Sequence, residues 1–308
     1  MFKEDQIKAI DNHFGQGYLD QVKDKLETYE NQWHLSHFEW IPWCSANLVL
    51  KCLSRDHGAS VLKLHGGFDN YLGLEAKALS HLNDQVVCKV YHTNMNKGDM
   101  VIERVEPGTV LRQEPSYEKR ARVFLDLYKA IHLGHDIMPE FPSYMDWLRR
   151  AESRMDRQVL KAGVHKYLLE AIDCYQMILD QGHRIFLLHG DFHHDNILKN
   201  KQGGYTVIDP KGVYGPRLMD LPRYILNEYL FDGFDQAMYD RVVHIIKIFS
   251  ADLTYSQKEI GTSLFIETAL MAAWCLEGVE MPDPQEVKRL ENTVAFSKKI
   301  MDDLVDFN

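Results

Sequence analysis

Between residues 185 and 212 a short apolar run twice gives way to a tight polar loop, and no other stretch limits the possible folds so strongly. The first run, Ile185–Leu188, leads into His189-Gly190-Asp191-Phe192-His193-His194-Asp195-Asn196-Ile197-Leu198; the second, residues 205–208, leads into Asp209-Pro210-Lys211-Gly212. Apolar segments bounded by Gly, Asn and Asp read as short strands, with Gly203-Gly204 supplying the turn between them. Two carboxylates and a carboxamide therefore stand at strand ends, where a carboxylate can occupy a low-dielectric cleft and still reach a reacting atom. Phosphoryl transfer from ATP calls for that set. One Asp orients and deprotonates the attacking hydroxyl, and an Asn with a second Asp holds Mg²⁺ against the phosphates. Asp191, Asn196 and Asp209 fit the three roles.

The rest of the composition narrows the classes. A chain of 308 residues that is 45% hydrophobic can bury two sizeable cores. Its net charge of -10 and the lack of a Lys/Arg stripe argue against a nucleic-acid binder and would make a cationic substrate electrostatically welcome. Cys44, Cys52, Cys88, Cys174 and Cys275 are never spaced as CxxC and read as thiols in a reducing compartment. The first residues are polar and the most apolar later run is broken by Glu267 and Glu277. Neither a signal peptide nor a membrane span is expected, which points to the cytoplasm.

Apolar spacing predicts a helix over residues 4–29, then strands over 38–43 and 48–53 joined by Cys44-Ser45-Ala46-Asn47, and a third strand over 60–64 carrying Lys63. Lys63 lies between Leu62 and Leu64 and so faces the other side of the strand; it either neutralises phosphate oxygens in a cleft or simply faces solvent. A helix over 69–82 carries Glu75, either the partner of Lys63 or an exposed glutamate. Strands over 86–90 and 100–105 follow, ending at Pro107-Gly108. Beyond this point the pattern is helical, over 116–133, 163–179, 218–231, 234–250, 256–276 and 284–305. The reading is α+β: a small lobe, residues 1–106, of antiparallel sheet with one helix and a helical extension, and a larger, mainly helical lobe, residues 107–308.

His189-Gly190-Asp191-Phe192-His193-His194-Asp195-Asn196 resembles the HGDxxxxN catalytic loop of the aminoglycoside phosphotransferases, relatives of the protein kinases. Within that group the chain is most similar to the streptomycin 6-kinase and aminoglycoside/hydroxyurea phosphotransferase family. Ile102-Glu103-Arg104-Val105-Glu106-Pro107-Gly108-Thr109 resembles its hinge, and Ile208-Asp209-Pro210-Lys211-Gly212 its metal-binding turn. The resemblance implies a bilobal, protein-kinase-like fold. It makes Asp191 the group that orients the hydroxyl and takes its proton, and Asn196 and Asp209 the Mg²⁺ ligands. Lys63 would hold the α- and β-phosphates and Glu75 would hold Lys63. Glu103 to Val105 would pair their backbone with adenine, and His189 and Asp220 would brace the catalytic loop. The first hairpin has no GxGxxG, so Ser45 and backbone amides would cover the phosphates; no GxxxxGK[ST] occurs anywhere.

The implied activity moves the γ-phosphoryl of Mg-ATP to a hydroxyl of a streptomycin-like aminoglycoside, by a monomer or homodimer. A kinase for choline, homoserine, a thioribose or a fructosamine is the main alternative. Glu267 and Trp274, on one face of the helix from Ser256, could seat an acceptor's amine or guanidinium, or could be boundary and core residues. Glu228, Asp232, Asp235 and Glu277 are further acidic candidates, and several acids in one pocket would suit a polycation. The density of His189, Asp191, His193, His194 and Asp195 would also permit a zinc hydrolase, but no HxxH or HExxH follows. A non-catalytic nucleotide binder would be expected to lack one of Lys63, Asp191, Asn196 or Asp209, and all four are present.

Overall fold

The computed structural model describes residues 2–42, 47–67, 71–133, 140–155, 163–230 and 233–304, the side chains of Tyr71 and Leu72 aside. In chain order the first elements are α1 (Glu4–Phe14), α2 (Tyr18–Gln32), β1 (Leu35–Trp40), β2 (Asn47–Ser54), β3 (Gly58–His65), α3 (Tyr71–His81), β4 (Val90–Asn94) and β5 (Asp99–Glu103). Next come α4 (Tyr117–Ile131), α5 (Tyr144–Arg154), α6 (Gly163–Asp180), β6 (Ile185–Leu188), β7 (Ile197–Lys199), β8 (Tyr205–Val207) and β9 (Val213–Pro216). The last are α7 (Pro222–Tyr229), α8 (Gln236–Asp252), α9 (Gln257–Cys275) and α10 (Pro284–Asp303). The fold is α+β, and the chain forms two compact units, Met1–Thr109 with Leu198–Lys211, and Val110–Ile197 with Gly212–Asn308.

The first unit is built on a five-stranded antiparallel sheet in the order β1-β2-β3-β5-β4. Side chains alternate along a strand, so Leu48 and Leu50 on β2 and their partners Leu64 and Leu62 on β3 all point into one core. Into the same core α2 sends Leu19, Val22, Leu26 and Tyr29. Buried Asp99 fixes that helix to the sheet. It accepts hydrogen bonds from the Tyr29 hydroxyl at 2.7 Å and the His65 amide at 2.8 Å, and pairs with Lys25 at 2.9 Å. The helix expected over residues 4–29 is two helices, because Gly15-Gln16-Gly17 breaks it. The strand expected over 86–90 begins only at Val90. Its earlier backbone groups are used elsewhere: Val207 N–H donates to the Val86 carbonyl at 2.7 Å and Cys88 N–H to the Val207 carbonyl at 2.9 Å.

In the second unit α9 is the central element. Its residues from Ile260 to Ala273 are buried on nearly every side, and α5, α6, α7, α8 and α10 pack around it. A helix apolar all round is what a buried position demands. Ser256 caps it by accepting from the Glu259 amide, and Ser143 caps α5 in the same way through Asp146. The ribbon β6-β9 is antiparallel, with Leu188 opposite Val213. This pairing holds the loop that follows β6 beside the chain that enters β9.

Candidate active site

Within the first unit three charged side chains meet. Lys63 on β3, opposite Val49 and Met100, is buried, with its side chain 7% exposed. Its ammonium lies 2.7 Å from Glu75 Oε1 on α3 and also pairs with Asp209 Oδ1, just past β8. Burial works to lower the Lys63 pKa, but Asp209 and Glu75 outweigh it and hold the group raised, so the ammonium stays charged. Asp209 adopts a left-handed backbone, φ +61°, and its side chain remains 41% exposed. The solvent-facing reading of Lys63 is therefore set aside in favour of the paired one.

At the expected hinge the Glu103 amide is taken by the Lys89 carbonyl at 2.8 Å. Val105 lies beyond the strand, and among the described residues its backbone enters no hydrogen bond. Gly108 is needed to turn away, since at φ +74° a Cβ would come 2.8 Å from the Val105 carbonyl oxygen. Ser45 lies outside the described residues, as does Cys44; Cys52, Cys88 and Cys174 are buried and Cys275 is exposed.

Within the second unit the loop after β6 is tied down at almost every residue. Asp220, fully buried at the end of a 3-10 turn, accepts from the His189 amide and the Gly190 amide, each at 2.8 Å. It also pairs with His132 Nε2 at 2.7 Å. Burial would raise the Asp220 carboxyl, but the hydrogen bond and charge of His132 bring it below the ordinary carboxylate value. His189 Nδ1 accepts from the Asp191 amide at 3.1 Å, and the Asn196 amide group donates to the Asp191 carbonyl at 2.9 Å. That bond uses the Asn196 nitrogen and so orients its oxygen away from the loop backbone. Gly190 must be glycine: its φ is +76°, and a Cβ there would come 2.7 Å from Trp147 Cη2. Asp191 Oδ1 lies 3.6 Å from His193 Nε2 and 3.5 Å from Arg223 Nε.

The histidines and acids that would have made a zinc cluster point to separate partners. His194 is buried and donates to Glu228 at 2.7 Å, while Asp195 is bound by both Arg112 Nε and Nη2 at 2.8 Å. Arg120 closes on Glu228 at 2.7 Å, which completes a buried His194–Glu228–Arg120 triad. Among the described residues no three His, Cys, Asp or Glu gather to hold a metal. Mg²⁺ asks for less, a carboxylate or two and a hard oxygen, the rest being phosphate and water. Each unit holds one donor of that chemistry, the exposed Asp209 carboxylate in the first and the oriented Asn196 oxygen in the second.

Several proposed acceptor groups prove to be engaged by the chain itself. Glu267 is 2% exposed; it accepts from the Tyr144 hydroxyl and pairs with Arg223 at 2.5 Å. The cation over Trp274 is likewise the Arg223 guanidinium, 5.6 Å from the ring centre. Glu228 belongs to the buried triad, Asp235 caps α8, Glu277 pairs with Arg154, and Asp232 lies outside the described residues. Arg112, Arg120, His132 and Arg223 were not foreseen. Each acts on a partner more than 40 residues away or at least across the turn of another element, so no local spacing marks it.

Comparison with known proteins places this arrangement. A streptomycin 3''-kinase from Klebsiella pneumoniae is 30% identical over 115 residues, 37% of this chain and 43% of that protein. The chain thus aligns with less than half the length of that relative. Among solved structures, the choline kinase LicA from Streptococcus pneumoniae superposes with a TM-score of 0.65 at 17% identity, covering 91% of this chain and 99% of that one. The aminoglycoside phosphotransferase APH(4)-Ia gives 0.59 at 11% identity, covering 92% and 98%. At such identities the likeness is one of fold, and the fold is protein-kinase-like. The family model for aminoglycoside/hydroxyurea antibiotic resistance kinases matches residues 32–278, and the chain belongs to that family.

Proposed function

We propose that the protein transfers the γ-phosphoryl group of Mg-ATP to a hydroxyl of an aminoglycoside-type, streptomycin-like acceptor. The observation that carries this reading is the tethered loop around Asp191. A residue whose own amide is bound by His189 and whose carbonyl is bound by Asn196 has its backbone fixed before any substrate arrives, so its carboxylate projects from one set position. In the proposed mechanism Asp191 accepts the proton of the acceptor hydroxyl as its oxygen attacks phosphorus, and ADP leaves with the bond it formerly shared. Lys63, kept charged by Glu75, offsets negative charge on the α- and β-phosphates. Val105 offers its free backbone donor to the adenine edge. Asn196 and Asp209 would hold Mg²⁺, which when bound neutralises charge developing on the phosphate oxygens.

Family membership supports the reaction class, and the solved relatives in complex with AMP or with ADP and hygromycin B support nucleotide use by this fold. No helix among the described residues is long and apolar enough to cross a membrane. The test is ADP release by purified protein with Mg-ATP, comparing streptomycin, choline and no acceptor. Stimulation by streptomycin alone is the expected result. Stimulation by choline alone would move the acceptor to the metabolite class, and no stimulation by either would contradict the streptomycin-like acceptor.

A further inference from the structure

Arg223, on α7, joins the Asp191 loop to the interior of the second unit. Its side chain is 11% exposed and its guanidinium lies between two carboxylates, Nη2 at 2.5 Å from Glu267 Oε1 and Nε at 3.5 Å from Asp191 Oδ1. The remaining surroundings pack around this pair of contacts. Glu267 also accepts from the Tyr144 hydroxyl, the guanidinium rests over Trp274, and Trp274 meets Trp147 edge-on with 5.4 Å between ring centres. Trp147 in turn packs against Gly190, the residue before Asp191. An arginine keeps its charge in any such setting, and its planar fork is directional where a lysine ammonium is not. Glu267 alone would satisfy the charge of Arg223. The geometry does more, because the same guanidinium also stands within ion-pair distance of Asp191, an electrostatic contact in which neither Nε nor Nη2 makes a hydrogen bond.

We propose that Arg223 is a positioning residue for phosphoryl transfer, holding the Asp191 carboxylate in the orientation that meets the acceptor hydroxyl, with Glu267 and Tyr144 as the clamp on Arg223. Glu267 and Trp274 then serve the acceptor indirectly, by seating the chain's own cation. The proposal rests on Asp191 being the proton acceptor.

The test uses the full chain with Arg223→Ala, Arg223→Lys, Glu267→Gln and Asp191→Asn. Turnover is measured with Mg-ATP and streptomycin, or as ATP hydrolysis if streptomycin does not stimulate, and thermal melting and crystal structures are obtained alongside. Misplacing a reacting group costs about 10²-fold, so Arg223→Ala should lose about that much kcat while KM for ATP stays within about twofold. Added guanidinium should restore much of the loss in Arg223→Ala and none in Asp191→Asn. Arg223→Lys, which keeps the charge and the buried partner for Glu267, should remain folded and still be slow, since a compact ammonium cannot stand beside both carboxylates as the broader guanidinium does. In the crystal of Arg223→Ala the Asp191 carboxylate should leave its present rotamer. Full turnover in Asp191→Asn would overturn the functional reading itself. An inactive Asp191→Asn beside an Arg223→Ala with wild-type kcat, a loss that guanidinium leaves untouched, or an unmoved Asp191 carboxylate would overturn the positioning role alone.

Discussion

Two carboxylates share one ammonium at Lys63, and the consequences of removing it can be separated. Lys63→Met leaves Glu75 buried without its counter-charge, and breaking a buried pair from one side costs about 3 kcal/mol or more. Urea unfolding should show that loss, and ATP affinity should fall at least about tenfold, since charge-assisted contacts to phosphate go with it. Adding Glu75→Gln should recover part of the stability and none of the ATP binding. A double variant as unstable as Lys63→Met would mean that the unpaired Glu75 is not the source of the cost.

The buried triad of His194, Glu228 and Arg120 links three elements, the 3-10 turn before β7, α7 and α4. Burial would raise the Glu228 carboxyl, but the hydrogen bonds and charges of His194 and Arg120 bring it from 4.5 down to about 2. A depressed folded value contributes stability that is present above the unfolded value and lost as pH falls through the folded one. The window is thus about pH 4.5 down to about 2, and the shift corresponds to roughly 3 kcal/mol. Denaturation across that window should show wild type losing more stability than Glu228→Gln; parallel losses would remove Glu228 from the acid response. Much of this scaffold was legible beforehand. The alternation of Leu48 and Leu50 against Leu62 and Leu64, the polar loop after Leu188, and the three-to-four spacing in α4 and α6 are local patterns. α5 also left a trace that was not read, Ser143 as its cap and Tyr144, Leu148 and Ala151 on its buried face. The strand at 86–90 was misread, and the choice between acceptor seat and core residue stayed open for Glu267, because both outcomes depend on distant chain. Val207 claims the backbone of Val86 and Cys88, and α9 is surrounded, so Glu267 has no solvent-facing side on which to receive a ligand directly.

For the whole molecule, net charge and the proposed acceptor make a joint prediction. A chain of charge -10 draws a polycation such as streptomycin by a field that salt screens over about 10 Å at ~0.1 M. KM for streptomycin should therefore rise with ionic strength while kcat holds, and KM for an uncharged hydroxyl acceptor should stay flat; a salt-independent KM would separate acceptor binding from the molecule's charge. The central claim, that Asp191 takes a hydroxyl proton and the γ-phosphoryl group moves to that oxygen, is tested most directly by the product. Phosphorus NMR of streptomycin incubated with Mg-ATP should show a new phosphate monoester with wild type and none with Asp191→Ala, although the variant still binds ATP. A monoester formed equally by both would contradict the account.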